Sequence, residues 1–189
     1  MQIGVLIFGW SVYFFLHSLL ASHLVKEAVN HQFPSLMNYY RLTYVIISTV
    51  GLLLLLYYNG SIESQDLFQR GGVVRYISLV FAAFGAIILK VSFRTYDLSS
   101  FVGVKKEVDT FVRSGLLQHV RHPIYSATIL IVIGFFLFSP NLPTLISTLC
   151  IFGYLPIGIW LEERKLLKAF GEDYRSYKQE VPALVPKLF

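Results

Sequence analysis

The stretch VRHPIYSATILIVIGFFLFSPNLPTLISTLCIFGYLPIGIWLEER, which runs from Val120 to Arg164, decides the fold of this chain. It contains two apolar runs, Ile124 to Phe138 and Pro143 to Leu161, joined by the short segment SPNLP. A connection this short and this rich in proline fits a tight turn between two helices. The pattern predicts a helical hairpin, with ionisable residues directly before its first helix and directly after its second.

Three further apolar runs precede the hairpin, and they extend from Gly4 to Leu20, from Leu42 to Tyr58 and from Val73 to Val91. Each of the runs has about 15 to 19 residues, near the roughly 20 that cross ~30 Å of hydrocarbon as a helix. Only 14% of the residues are charged and 55% are hydrophobic, whereas about 25% of a soluble domain is charged. We therefore predict a single all-α integral membrane domain over residues 1–189, with about five transmembrane helices. A hairpin that enters the bilayer and returns is the alternative for the last two runs.

Basic residues are distributed unevenly between the predicted loops. Of the 16 Lys and Arg residues, 14 lie between the first two spans, in residues 90–123, or in the tail after Leu161. The positive-inside rule then predicts an N-terminus outside and a cytoplasmic face that carries all three basic segments. The predicted parts are three N-terminal spans (1–91), a cytoplasmic loop (92–123), the hairpin (124–161) and a cytoplasmic tail (162–189). Membrane lipids are the expected surroundings, and nucleic acid is not a predicted partner, since no basic cluster is dense enough.

The Arg-His-Pro triplet at residues 121–123 lies where the hairpin meets the cytoplasm. Pro123 is suited to the first position of a helix, because its missing N–H is not needed there. The free N–H groups of that helix start are able to bind a carboxylate, and Arg121, His122 and Tyr125 flank the same place. The alternative is a helix cap with interfacial basic residues.

The adjacent acids Glu162 and Glu163 follow the last span, at the C-terminal end of its helix. The helix dipole disfavours negative charge at that end, so a cationic partner is expected. Arg121, Arg164 and Lys165 are the protein candidates, and the ammonium group of a bound ligand is another.

The tail continues this helix to a predicted stop near Gly171, a residue type that commonly ends helices. A shorter helical turn then places Tyr174 and Tyr177 on one face, three residues apart. The alternative is an amphipathic segment that lies at the lipid headgroups without a catalytic role.

Taken together, GLLQHVRHPIY, the hairpin and EERKLLKAFGEDYRSYKQEVPALVP resemble the C-terminal half of the isoprenylcysteine carboxyl methyltransferase and phospholipid methyltransferase superfamily. The resemblance covers roughly residues 110–186. The superfamily pattern has R-H-P-x-Y, a hairpin, E-E-x-x-L, F-G-x-x-Y-x-x-Y and V-P-x-x-x-P in this order. Two departures affect the pocket: Leu117 replaces an aromatic residue, and Ser126 with Ala127 replaces a glycine.

The N-terminal half has a second resemblance. HSLLAS at residues 17–22, followed by YYRLTYVIIS and by YDLSSFVG at residues 96–103, is similar to the nurim and methanethiol methyltransferase branch. His17 lies near the cytoplasmic end of a span, where ionisable residues are functional candidates. The alternative is a neutral imidazole that hydrogen-bonds to a neighbouring helix.

The resemblance implies a methyltransferase that uses S-adenosylmethionine as its cofactor, with a small apolar thiol, carboxyl or lipid-like methyl acceptor. It implies that Pro123 and His122 bind the donor carboxylate, that Glu162 or Glu163 binds its ammonium, and that Tyr174 or Tyr177 covers its adenine. Tyr125 belongs to the same pocket. The candidate catalytic residues are His17, Arg121 and His122, and no metal is expected. Two other functions remain open: a heme-binding protein similar to zeta-carotene isomerase, and a nurim-like structural membrane protein.

Overall fold

The computed structural model describes residues 1–95 and 111–187. The helices in these ranges are α1 (Gln2–Leu20), α2 (His23–Gln32), α3 (Met37–Ser61), α4 (Gly72–Thr95), α5 (Pro123–Phe138) and α6 (Leu142–Glu180). In the same ranges, extended pairing is limited to one isolated bridge between Asp66 and Asn141. The predicted all-α class is therefore confirmed. The segment at residues 96–103, which contributed to the second resemblance, lies outside the described residues.

Each of the predicted apolar runs forms a helix. By length and composition α1, α4, α6 and the segment Pro34–Ser61 can each cross a membrane, whereas α5 is a shorter apolar helix. The 16 residues of α5 span about 24 Å, somewhat less than the hydrocarbon thickness. The hairpin turn still reaches the loop between α3 and α4, because the Leu67 N–H donates to the Pro140 carbonyl (2.7 Å). The chain is a multi-pass helical membrane protein.

The helix ends follow the local sequence signals. Pro123 lies in the first turn of α5, and the Asn141 side chain accepts a hydrogen bond from the Thr144 N–H (3.0 Å) at the start of α6. Gly171 has φ 53° and ψ −121° inside α6, which interrupts the helix there. A positive φ costs little for glycine, so Gly171 is where the direction of α6 changes. The predicted stop near Gly171 is confirmed, and a second helical segment follows it.

Close contact between α4 and α5 depends on small residues. A side chain at Gly134 would place its Cβ 2.8 Å from the Ser78 carbonyl oxygen, and one at Gly85 would place it 2.8 Å from the Ala127 carbonyl oxygen. Membrane helices commonly approach each other through such small residues. These glycines therefore fix α5, and with it the Arg-His-Pro triplet, against α4.

On its other side α6 packs against α1 and α3. Trp10 Nε1 donates to Ser147 Oγ (2.8 Å), Ser147 Oγ donates to Asn59 Oδ1 (2.8 Å), and Asn59 Nδ2 donates to Thr144 Oγ1 (3.2 Å). Interhelical hydrogen bonds of this kind stabilise helix association in membranes. This network holds the three helices at the end of the bundle near the hairpin turn. The opposite end, where α1 ends and α5 begins, is called the basic end below.

Candidate active site

The Arg-His-Pro triplet is fixed by the chain's own tail. The Arg121 N–H donates to the Pro182 carbonyl (2.9 Å) and the His122 N–H donates to the Ala183 carbonyl (3.0 Å). Ser126, one of the two departures from the superfamily pattern, donates through its hydroxyl to the Leu184 carbonyl (2.6 Å). The segment Pro182–Leu184 thus runs along the start of α5 and is called the tail strap.

Glu163 is buried at the centre of the basic end, beyond the apolar part of α6. Its carboxylate accepts from Arg121 Nη2 (2.7 Å) and Nε (3.2 Å), and from Lys178 Nζ (2.5 Å). His122 Nε2 lies 3.3 Å from the same carboxylate. Burial raises the pKa of Glu163, but the hydrogen bonds from Lys178, Arg121 and His122 outweigh it and hold the pKa at about 2. Glu163 is therefore ionised and fully engaged by the protein.

Of the three cationic partners predicted for the two acids, Arg121 is the one that pairs with Glu163. The Arg164 guanidinium lies over the Trp160 ring (4.8 Å to the centroid), and Lys165 Nζ donates to the Ala21 carbonyl (2.6 Å). Lys178 was not predicted, because it lies beyond the break at Gly171, where no helical spacing relates it to Glu163. The feature of the sequence that could have pointed to Lys178 is that it directly follows Tyr177, a predicted site residue.

The Arg121 guanidinium also joins the tail to the site. Its Nη1 donates to the Lys178 carbonyl (3.0 Å) and to the Val181 carbonyl. The Glu163 carboxylate and these two carbonyls together accept hydrogen bonds from all three nitrogens of the guanidinium. The geometry gives Arg121 a clear positioning function, and its predicted catalytic role stays a prediction.

Glu162 lies on the neighbouring side of α6 and is far more accessible, with 43% of its side chain exposed. Within the described ranges its carboxylate lies 3.5 Å from Nδ1 of the His122 imidazole. Tyr125 lies near enough to Glu162 to interact with its charge. His122 thus lies between the two acids, and Glu162 is the acid with capacity for a ligand.

Tyr174 and Tyr177 are both buried, as their predicted common face requires. The Tyr177 hydroxyl donates to the carbonyl of Leu117, the other departure from the superfamily pattern (2.5 Å). The Tyr174 hydroxyl is buried without a hydrogen-bond partner in the described part of the protein. Burial raises the pKa of Tyr174, and the nearby charge of Glu163 raises it further. Phe111 closes this cluster, with its ring centroid 5.9 Å from that of Tyr174.

An unpaired buried hydroxyl costs about 1–3 kcal/mol. Most buried polar groups in proteins have a hydrogen-bond partner, so an unpaired one calls for an explanation such as a bound ligand or a water. The Tyr174 hydroxyl lies close enough to Glu162 and Glu163 to interact with their charges, which makes it a candidate position for a bound ligand.

His17 lies in a second polar cluster between α1, α3 and α6. Its Nε2 is 3.0 Å from the Tyr44 hydroxyl and its Nδ1 is 3.2 Å from Ser48 Oγ. The adjacent Ser18 hydroxyl is 2.8 Å from the Tyr154 hydroxyl. These contacts match the predicted alternative of a histidine bonded to a neighbouring helix, and they do not test catalysis.

The structure brings His122, Pro123, Tyr125, Glu162, Glu163, Tyr174 and Tyr177 together with Arg121. No direct hydrogen bond joins His17 to Arg121 or His122 among the described contacts. Tyr125 lies between the two clusters, because its hydroxyl and the Tyr154 ring both pack next to Gly158. The predicted site residues thus form one main cluster and one neighbouring cluster.

Comparison with known proteins adds a family to this geometry. The chain matches the family model described as NnrU protein over residues 5–186. It is 31% identical to a methanethiol S-methyltransferase of Pseudomonas deceptionensis, over 91% of this chain and 68% of that protein. A methanethiol S-methyltransferase of Crocosphaera subtropica is 26% identical, over 90% of this chain and 69% of its own length.

A protein-S-isoprenylcysteine O-methyltransferase of Xenopus laevis is 31% identical, over 58% of this chain and 40% of its own length. The chain thus spans between 40% and 69% of the length of these relatives. No solved structure matches it.

Proposed function

Because the chain belongs to the NnrU protein family and has relatives named as methyltransferases, we propose that it is an integral membrane methyltransferase. The relatives also confirm the resemblance to membrane methyltransferases that the motifs indicated. The proposed methyl donor is S-adenosylmethionine. The proposed acceptor is a small apolar thiol, in keeping with the relatives' names, and carboxyl and lipid-like acceptors are the alternatives.

One observation carries the donor proposal: the unpaired, buried Tyr174 hydroxyl beside an accessible acid. S-adenosylmethionine, when bound, supplies a methyl group activated by a sulfonium charge. Glu162 would hold its ammonium, and the first turn of α5 after Pro123, with His122, would hold its carboxylate. Tyr174 and Tyr177 would cover its adenine. Of the two acids we assign Glu162 to the donor, because Glu163 is engaged by Arg121 and Lys178.

The protein's contribution to catalysis is mainly alignment and control of protons. Holding the two reactants in line lowers the activation barrier by about 7–11 kcal/mol. A thiol with an ordinary pKa near 8.5 must also lose its proton, which a nearby base or cation promotes. His17 and His122 are the candidate bases, and Tyr125 lies between their clusters. Arg121 holds the tail strap, which closes the donor side of the site.

Binding of S-adenosylhomocysteine to the purified protein, measured by isothermal titration, tests the donor site. Labelled-methyl transfer to a panel of thiols, carboxylic acids and a lipid extract tests the reaction. No binding at millimolar ligand, together with no transfer, would overturn the proposal. Binding without transfer to any acceptor would favour the nurim-like structural role. A Soret band in protein from heme-supplemented cells would favour the heme-binding alternative.

A further inference from the structure

A polar stripe on α6 faces the space between α1 and α5. Its members Tyr154, Gly158, Glu162 and Lys165 follow at intervals of four, four and three residues, which places them on one helix face. A side chain at Gly158 would place its Cβ 3.1 Å from the Tyr125 hydroxyl, so the glycine leaves room for that ring. The stripe therefore runs from the His17 cluster to the proposed donor site.

Lys165 closes this stripe at the basic end. Its Nζ donates to the carbonyl of Ala21, which caps the end of α1. An ammonium has three donors, and among the described residues the Ala21 carbonyl is the one hydrogen-bond acceptor for them. Within the described ranges Lys165 forms no ion pair with a carboxylate, although Glu162 lies near enough to interact with its charge. It is also close enough to His17 for their charges to interact.

A partly buried cation with open donors is able to stabilise an anionic reactant. We infer that the Lys165 ammonium contacts the methyl acceptor and stabilises it as a thiolate between the His17 cluster and the donor site. This inference rests on the proposed function and assigns the acceptor side of the same site. Two residues of the stripe would then bind different reactants: Glu162 would bind the donor ammonium, and Lys165 would bind the acceptor sulfur.

The chemistry balances with one thiol and one sulfonium methyl donor. The acceptor sulfur forms a bond to the methyl carbon while the carbon–sulfur bond to the donor breaks, and that electron pair stays on the donor sulfur. One positive and one negative charge disappear together. The thiol proton leaves to His17 or to water, and Lys165 keeps its own protons throughout. Its function is to lower the pKa of the bound thiol by offsetting the negative charge.

The charges around Lys165 come from several helices. His17 faces it from α1, Lys26 from α2 and Glu162 from its own helix, while the Tyr40 hydroxyl on α3 donates to the neighbouring Leu20 carbonyl. From α5, Tyr125 and His122 reach the same region through Glu162. Burial lowers the pKa of Lys165, the Lys26 charge lowers it further, and Glu162 opposes both.

The test compares Lys165→Met with Lys168→Met, an equal change at an exposed position on the same helix. For each variant of the full chain, kcat and kcat/KM for a short alkanethiol are measured from pH 6 to pH 10, together with the affinity for S-adenosylhomocysteine. We expect Lys165→Met to lower kcat/KM at pH 7 by about tenfold to a hundredfold, the worth of a hydrogen bond to a charged group. The loss in kcat, which reports the ionisation of the bound thiol, should shrink toward high pH, where that thiol ionises unaided, while the S-adenosylhomocysteine affinity stays unchanged. Lys165→Arg should retain most of the activity.

Three results with the variants would overturn the inference, and two results with the unmodified protein would do so as well. The first is that the pH profile of Lys165→Met coincides with that of Lys168→Met. The second is that Lys165→Met loses affinity for S-adenosylhomocysteine by the same factor by which it loses activity. The third is that it lowers only the melting temperature while activity per folded molecule persists, which would make Lys165 a cap for α1. If the unmodified protein binds S-adenosylhomocysteine but methylates no thiol, the thiolate site fails while the donor site stands. If the protein neither binds nor transfers, the proposed function fails as well.

Discussion

Replacing Glu163 by glutamine tests whether its carboxylate stabilises the fold or binds a ligand. Glutamine keeps the size of the side chain and one oxygen acceptor, but it removes the charge that Arg121 and Lys178 face. Both Arg121 and Glu163 are nearly buried, with 9% and 10% of their side chains exposed. The substitution therefore leaves a buried guanidinium without its carboxylate, which is strongly destabilising.

The expected loss follows from the pKa of Glu163. Its value of about 2, against an ordinary 4.5, corresponds to about 3 kcal/mol of stabilisation of the ionised form. Removing one partner of a buried ion pair costs about 3–5 kcal/mol, and the oxygen retained by glutamine reduces this loss. We expect Glu163→Gln to lower the free energy of unfolding by about 2–4 kcal/mol.

The matched control is Glu172→Gln, because Glu172 pairs with Arg175 on the surface, with 75% and 65% of their side chains exposed. Exposed pairs contribute about 0–1 kcal/mol, so this variant should unfold almost as the unmodified protein does. Denaturant unfolding in a fixed detergent mixture measures both variants, and titration with S-adenosylhomocysteine measures the donor site. If Glu163→Gln is as stable as Glu172→Gln but has lost the ligand, Glu163 binds the donor and our assignment of the two acids is reversed.

Three further predictions address the other groups of the site. Since the pKa of Glu163 is depressed, its contribution to the free energy of unfolding is complete above about pH 4.5 and should be lost as the pH falls toward 2. In Glu163→Gln, the free energy of unfolding should therefore change less with pH over this acidic range. Tyr174→Phe should raise the ligand-free melting temperature, because it removes an unpaired buried hydroxyl worth about 1 kcal/mol or more, and it should weaken S-adenosylhomocysteine binding in titration; a lower melting temperature would contradict the unpaired hydroxyl. His17→Ala should lower thiol methylation about tenfold or more at pH 7 and remove the imidazole limb of the pH–rate profile, whereas an unchanged profile would assign His17 to helix packing.

Local signals in the sequence predicted much of the fold. The apolar runs became helices because a chain in lipid must satisfy its backbone hydrogen bonds within each segment. Pro123 and Gly171 marked a helix start and a break, since both act through their own backbone geometry. The helix α2 was missed, because its ten residues (His23–Gln32) are amphipathic and too polar to count as an apolar run.

The missed contacts depend on how distant segments meet. The backbone hydrogen bond from Arg121 to the tail strap joins groups about sixty residues apart, and no residue type in the sequence predicts such a bond. Lys178 reaches Glu163 only because the chain changes direction at Gly171. The Trp10 and Asn59 network was hidden for another reason: isolated polar residues in an apolar run barely change its mean hydropathy.

The pair Glu162 and Glu163 shows why a resemblance in motif leaves residue roles open. Neighbouring residues on a helix point about 100° apart, so the two adjacent acids have different surroundings, although His122 contacts both. One carboxylate turns toward Arg121 and Lys178 and holds the tail, whereas the other faces the stripe with Gly158 and Lys165. The spacing of the motif thus places Glu163 among its protein partners and leaves Glu162 more exposed. The donor site that we propose would form only after the tail has docked, because Glu163 lies before Gly171 whereas Lys178 and the tyrosines that would cover the donor lie after it.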